Sequence, residues 1–154
     1  MRLATAVLSF SVLSALVAAS AVPAAAQEAA GQEAASQAAA GIAGATRAAQ
    51  AWLALMDEGR TADTWTQGAA FLRGAVTQSQ WNEALRAVRV PLGAVKSRSL
   101  ASTTLSRTLP GLPAGEYVVL EYRTDFANRA GAVETVTPMR EADGSWKVAG
   151  YFIK

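Results

Sequence analysis

The pattern of apolar residues changes once along this chain, close to Pro91, and this change limits the possible fold more than any other feature. Before Pro91, apolar side chains recur every three or four residues, which is the spacing of amphipathic helices. After it, four segments are rich in β-branched and aromatic residues and are separated by turn compositions; they are 95–107, 116–125, 132–140 and 145–153. The order predicts an α+β fold in which three N-terminal helices pack on a curved, four-stranded antiparallel sheet.

The first two predicted helices meet near Gly59. The apolar residues before it share one helix face; they are Ala48, Trp52, Leu55 and Met56. Gly59 stands where such a helix would end, because glycine tolerates the left-handed conformation of many helix ends. A second helix is expected to be capped by Thr61 or Asp63. Its apolar face would consist of Trp65, Ala69, Leu72 and Val76.

The third predicted helix has the clearest beginning. Thr77 and Gln80 have the types and the spacing of a capping box, in which each side chain bonds to the backbone of the other residue. Its buried face would consist of Trp81, Ala84, Leu85 and Val88. Pro91 ends the helix, because the residue before a proline avoids helical geometry.

Two of the predicted strands have different patterns. In EYVVLEYRT the alternate residues Val118, Leu120 and Tyr122 form the more apolar face, which is typical of a half-buried strand. In SWKVAGYFI both faces are apolar. This second pattern predicts a central strand that is covered on both sides.

Residues 1–26 have the composition of a signal peptide. Arg2 precedes a long apolar run, Pro23 interrupts it, and three alanines complete a small-x-small cleavage pattern. We predict cleavage after Ala26 and a periplasmic or secreted location. The alternative is an uncleaved anchor, because the run approaches the roughly 20 residues that span a bilayer. No later segment is long and apolar enough, so we expect no transmembrane segment in the mature chain.

Residues 27–44 are of low complexity and separate this leader from the domain predicted over 45–154. Glutamine and alanine recur there at a spacing of five residues. Such a spacing does not keep one face of an α-helix, so no apolar stripe builds up. We predict a linker that is loosely helical at most.

Composition excludes several classes of function. The chain has no cysteine and no histidine, which removes thiol catalysis, thiolate metal sites and the usual general base near neutral pH. Cleavage would remove Arg2 and leave 13 basic against 12 acidic residues from the original 14 and 12. This balance offers no electrostatic footprint for nucleic acid. We therefore expect no nucleic-acid partner, no metal site and no cofactor.

A cationic corner is the first candidate binding site. Arg89 and Arg98 flank a Pro-Leu-Gly turn, with Arg86 one helical turn earlier, and guanidinium groups suit carboxylates or phosphates. However, the corner follows a helix C-terminus, which attracts cations and discourages a bound anion. In the alternative, structural interpretation, Arg98 pairs with Glu121 or Glu134 on a neighbouring strand.

A polar group inside a pocket is the second candidate. Tyr122, Asp125, Glu134 and Tyr151 lie on or beside predicted strands. A carboxylate beside a tyrosine in an apolar cavity can act as an acid and base. The alternative is an ion pair between Glu134 and an arginine, because ion-pair networks often imitate active sites.

Several ordered motifs resemble those of DUF4019, a bacterial family of exported domains of unknown function. They include RVPLG at 89–93, ETVTPM at 134–139 and DGSWKVAGYFI at 143–153, and the resemblance covers about 45–154. It implies an exported domain and no mechanism. The order of helices and strands also looks like the cystatin-like and NTF2-like shape, an analogy that concerns the fold alone.

Two classes of function follow. The first is a non-catalytic binding module for a small ligand, a peptide or a protein partner, held in the concavity of the sheet or along an edge strand. Its candidate ligand-binding residues are Arg89, Arg98, Tyr122 and Glu134. The alternative is a cofactor-free enzyme that uses Asp125, Glu134 or Tyr122 as acid and base. Because no catalytic motif is present, we favour binding and assign no catalytic residue.

Overall fold

A computed structural model describes residues 24–154, which form four α-helices, one 3₁₀ turn and a four-stranded sheet. The helices are α1 (Ala24–Asp57), α2 (Thr61–Thr66), α3 (Ala70–Ala75) and α4 (Gln78–Arg89), and the 3₁₀ turn is Val90–Leu92. The strands are β1 (Val95–Ser106), β2 (Tyr117–Phe126), β3 (Ala132–Arg140) and β4 (Trp146–Ile153). Helices followed by an antiparallel four-stranded sheet confirm the predicted α+β class.

The sheet is an antiparallel meander in the order β1-β2-β3-β4. α1 crosses one face of the sheet and contacts all four strands. The predicted apolar alternation of β2 is confirmed, because Val118, Leu120 and Tyr122 are buried on this inner face. Val136 on β3 and Val148 on β4 complete the same core. The opposite, outer face of the sheet has no helix of residues 24–154 packed on it.

The prediction that the last strand is central is wrong, because β4 lies at an edge of the sheet. Its pairing with β3 shifts register between Thr137 and Pro138. The shift adds one residue to β4, so Val148 and Ala149 are both buried although they are adjacent. This bulge, rather than cover on two faces, produces the apolar pattern, and Phe152 is largely exposed on the outer side.

α1 is longer than predicted, because it includes residues 27–44, the segment expected to be loosely helical at most. Alanine is the best helix former, so this composition favours a helix even where no apolar stripe builds up. Residues 25–37 are exposed, and close packing begins at Gly41 and Gly44 against Trp146. The signal-peptide prediction falls mostly on residues 1–23, which lie outside the described part. No helix of 24–154 combines the length and hydropathy needed to cross a membrane.

The predicted helix boundaries at Gly59 and Thr77 are confirmed. Gly59 has φ +75°, its N–H donates to Met56 O, and the N–H of Arg60 donates to Leu55 O at 2.9 Å. These two bonds form a Schellman motif at the end of α1. At the start of α4, Thr77 and Gln80 form the predicted capping box. Its predicted buried face is wrong in part, because Leu85 is buried whereas Ala84 and Val88 are exposed.

The second predicted helix is instead two short helices, α2 and α3, which are separated at Gly68. A Cβ at Gly68 would lie 2.7 Å from the side chain of Leu72 and 3.1 Å from Trp65 O, so the chain turns tightly there. The cap predicted at Thr61 or Asp63 is also wrong. The N-cap position of α2 is Arg60, whose side chain makes no capping bond.

Candidate functional site

Glu134 is a carboxylate with 0% exposure on the inner face of β3. Its Oε2 accepts hydrogen bonds from Arg98 Nε at 2.6 Å and from Thr124 Oγ1 at 2.5 Å. Its Oε1 accepts from Arg98 Nη2 at 3.2 Å and from the hydroxyl of Tyr151. Both oxygens are therefore satisfied, as a buried charge requires.

Asp57 joins the same group of charges from the end of α1. Arg98 donates two hydrogen bonds to it, from Nη1 to Oδ2 at 2.6 Å and from Nη2 to Oδ1 at 3.0 Å. Arg89 Nη2 donates to Oδ1 at 2.7 Å. We call Asp57, Arg89, Arg98 and Glu134 the charge cluster. It contains two carboxylates and two guanidinium groups, so its formal charges balance.

The fold explains why two arginines can lie here with side chains only 11% and 15% exposed. α1 ends at Asp57 and α4 ends at Arg89, and the carbonyl end of a helix favours nearby cations. β1 places Arg98 opposite Thr124 of β2. The guanidinium of Arg89 also lies over the ring of Phe126, 4.6 Å from its centroid, which adds a cation–π contact.

Three pKa values in and beside the cluster are raised, those of Arg98, Tyr122 and Tyr151. Burial lowers the pKa of Arg98, but the hydrogen bonds and the charges of Asp57 and Glu134 outweigh burial, and the net pKa is raised. Burial raises the pKa of Tyr151, and the negative charge of Glu134 raises it further. Burial likewise raises the pKa of Tyr122, with a smaller opposing effect of Arg98. Both tyrosines are therefore neutral at neutral pH, and the Tyr151 hydroxyl donates to Glu134.

Two buried polar atoms beside Glu134 make no hydrogen bond within residues 24–154. They are the hydroxyl of Tyr122 and Arg89 Nη1, and the latter lies 3.7 Å from Glu134 Oε1. An unsatisfied buried polar atom costs about 1–3 kcal/mol. The unpaired atoms of Arg89 and Tyr122 therefore offset part of the stability that the charge cluster provides.

A cleft of about 600 Å³ opens beside the cluster, between the end of α1, the end of α4 and the start of β1. Its apolar walls are Met56, Leu85, Val90 and Val95. Arg86 lines it as an exposed cation and makes no ion pair or side-chain hydrogen bond within the described residues. Asp57 and Arg89 of the charge cluster also line the cleft, and they pair with each other. The cleft is thus mainly apolar, and Arg86 is its one uncompensated charge.

The four predicted ligand-binding residues, Arg89, Arg98, Tyr122 and Glu134, lie together around the charge cluster. Of these, Arg89 lines the cleft, whereas the other three are enclosed behind it. Their role in binding a ligand stays a prediction. The ion-pair alternative for Arg98 is realised with Glu134, while Glu121 accepts a hydrogen bond from Ser102 instead.

Asp125 does not join this group, because it lies on the outer face of β2. Its carboxylate accepts from the hydroxyl of Ser97 and from the N–H of Gly131. The Gly131 and Ser97 bonds lower the pKa of Asp125. The sequence interpretation also missed Asp57. Its signal was present, because a carboxylate at a helix C-terminus opposes the helix dipole and needs cationic partners.

No group of three acidic side chains in residues 24–154 is placed to hold a metal ion. Comparison with known proteins gives a single kind of match. A family model described as "Protein of unknown function (DUF4019)" matches residues 48–151. No curated protein and no solved structure matches the chain. The cystatin-like and NTF2-like likeness therefore stays an analogy.

Proposed function

The chain belongs to the DUF4019 family, and from that premise we propose that it is a non-catalytic binding module whose cleft holds a small amphipathic anion. The observation that carries this proposal is the contrast between a closed charge cluster and an open cleft. Every carboxylate oxygen of Asp57 and Glu134 is engaged by an internal donor. The cleft has a volume within the range of about 300–1,000 Å³ that small ligands occupy.

The chemistry of the walls supports the class of ligand. An alkyl body would contact Met56, Leu85 and Val90, which removes apolar surface from water. Its negative group would lie against Arg86, which has no internal partner. Because Arg86 is exposed, an ion pair with it contributes about 0.2–1 kcal/mol, so this one contact would favour an anion by up to about fivefold.

The same contacts weigh against the acid and base alternative. An enzyme of that type needs a carboxylate that reaches a substrate, but Glu134 has 0% exposure and both of its oxygens are occupied. Tyr122 is enclosed, and Asp125 lies on the opposite face of the sheet. No contact in residues 24–154 favours proton transfer over binding.

Titration with sodium decanoate tests the proposal. We expect saturable NMR shifts at Met56 and Val90, and up to about fivefold weaker binding by Arg86→Gln. Arg47→Gln is the matched control, because Arg47 is an exposed arginine on α1 away from the cleft; it should bind as the parent does. Equal affinity for decyltrimethylammonium, or shifts outside the cleft, would contradict the proposal.

We also propose that the chain is exported through cleavage of residues 1–26. The composition of that segment supports it. The mass of the protein recovered from its native compartment should correspond to a chain that begins at Gln27. A recovered chain that retains Arg2 would contradict this proposal and favour the uncleaved anchor.

A further inference from the structure

The two edges of the sheet differ in how they are covered. At the β4 edge, the start of α3 lies against the strand, and the N–H of Ala69 donates to Val148 O at 2.8 Å. β1 pairs with β2 on one side, and no strand of residues 24–154 pairs with its other side. Most of its 12 residues are exposed. β1 therefore presents an open edge, which is a template for another strand.

Part of this edge is protected, and part is not. Register shifts interrupt β1 between Val95 and Ser97 and between Leu100 and Ser102, and such bulges discourage pairing. The stretch 102–106 is regular, because each of its residues pairs in order with residues 121–117 of β2. It contains no charged residue and no proline. A short segment of β1 thus lacks the usual devices that prevent strand addition.

The surroundings of this segment indicate which side chains would fit. Leu105 pairs with Val118 and so lies on the inner side of the sheet, yet it is 44% exposed. A groove of about 160 Å³ begins there and runs between α1 and the end of the sheet, lined by Ala38, Leu105 and Trp146 among others. A strand added to β1 would direct alternate side chains into this groove. Those side chains should be apolar.

Charge identifies the kind of partner. Arg107 and Arg140 line the same groove, and only one carboxylate, Glu116, lies with them; it pairs with Arg140 at 3.0 Å. Arg107 makes no ion pair or side-chain hydrogen bond within the described residues. A second copy of β1 would not supply the missing charge, because the chain has no Asp or Glu from residue 84 to residue 115. A different partner that carries a carboxylate would complement Arg107.

We propose that the open edge of β1 binds an extended acidic segment of a protein partner as a fifth, antiparallel strand. Its backbone pairs with 102–106, its alternate apolar side chains enter the groove beside Leu105, and a carboxylate near its N-terminal end pairs with Arg107. This mode is β-strand addition, in which the backbone gives affinity and the side chains give specificity. The site is separate from the cleft and does not depend on the cleft being occupied.

A labelled peptide, Glu-Val-Thr-Val-Thr-Val-Thr, tests the proposal by fluorescence anisotropy on the full chain. We expect saturable binding, NMR shifts at 102–106, and at least about fivefold weaker binding when lysine replaces the glutamate. Methylation of alternate peptide nitrogens should abolish binding. Arg107→Gln should remove the preference for glutamate over lysine, whereas Arg129→Gln, at another exposed arginine, should preserve it.

Three results would overturn the proposal. The first is equal affinity for the glutamate and lysine peptides. The second is binding that survives methylation, because then no backbone ladder forms. The third is self-association of the chain through β1, seen as a dimer in sedimentation that Thr104→Lys abolishes, which would assign the edge to a second copy.

Discussion

Arg89 lies between two regions, the charge cluster and the cleft, and an arginine has a different role in each. On its inner side, in the charge cluster, Arg98 is 15% exposed and bonded to two carboxylates. On its outer side, in the cleft, Arg86 is exposed and has no partner within residues 24–154. The inner charges therefore hold three elements together, whereas the outer charge is available to a ligand. The comparison shows that partners, rather than residue type, decide the role of an arginine.

The largest effect should come from removing the centre of the cluster. Glu134→Ala leaves Arg98 buried with one of its two partners, so we expect a loss of about 3–5 kcal/mol in the free energy of unfolding. Urea denaturation measures it. Adding Arg98→Met should recover part of the loss, because the unpaired charge is removed as well. A loss below about 1 kcal/mol for Glu134→Ala would mean that the inner region does not differ from the outer one.

The second largest effect should appear at alkaline pH, where the tyrosines beside the charge cluster should resist ionisation. All three tyrosines of the chain have a pKa raised above 10.0 by burial, and two of them adjoin the cluster. Their neutral forms stabilise the fold fully below about pH 10, and this contribution is lost as the pH rises through the raised values. Ultraviolet absorbance should show no phenolate until the protein unfolds. Ionisation of Tyr122 or Tyr151 near pH 10 in the folded chain would contradict the enclosed cluster.

A smaller effect is expected at Gly59, which lines the cleft. Gly59→Val should destabilise the protein by roughly 1–2 kcal/mol, because φ is +75° there and a β-branched residue is strained in that region. Gly74→Ala is the matched control. Gly74 is helical with open space around it, so alanine should stabilise by up to about 1 kcal/mol. Equal melting temperatures of the parent and Gly59→Val would contradict the conclusion that α1 ends at a left-handed Gly59.

The smallest effect on stability is expected at Arg86. Because its side chain has no internal partner, Arg86→Gln should change the free energy of unfolding by no more than about 0.5 kcal/mol. Thermal melting measures it. A loss comparable to that of Glu134→Ala would show that Arg86 is structural, and the contrast across Arg89 would disappear.

Local signals predicted much of the fold. The left-handed Gly59 and the Thr77–Gln80 capping box are set by neighbouring residues, so the sequence shows them directly. The extension of α1 does not follow from its apolar pattern, because no stripe forms over 27–44, but the alanine content of that segment favours a helix. The place of β4 was missed because its bulge depends on pairing with Pro138, a contact between strands. Interactions between distant residues are the part that one sequence does not display.

The candidate site shows the same division. Arg89, Arg98, Tyr122 and Glu134 were selected by chemical type, and the meander brings them together. The choice between Glu121 and Glu134 depended on which face of the sheet each residue occupies. Asp57 was overlooked although its position opposes the dipole of its own helix. A residue that opposes the dipole of its own helix, as Asp57 does, therefore indicates a stabilising partner elsewhere in the chain.

The placement of β4 has a consequence for the order of events during synthesis. β4 provides Tyr151, which donates to Glu134, and Val148, which lies in the core. The backbone of Lys154, directly after β4, exchanges hydrogen bonds with Val133 at 2.8 and 3.0 Å. α1 precedes β4 in the chain, so during synthesis the apolar face of α1 is made before the strand that completes its cover. That face is therefore exposed in the nascent chain until β4 has been made, and exposed apolar surface favours aggregation. A chain that stopped before Tyr151 would lack the hydroxyl that donates to Glu134, and it should be less stable than the parent.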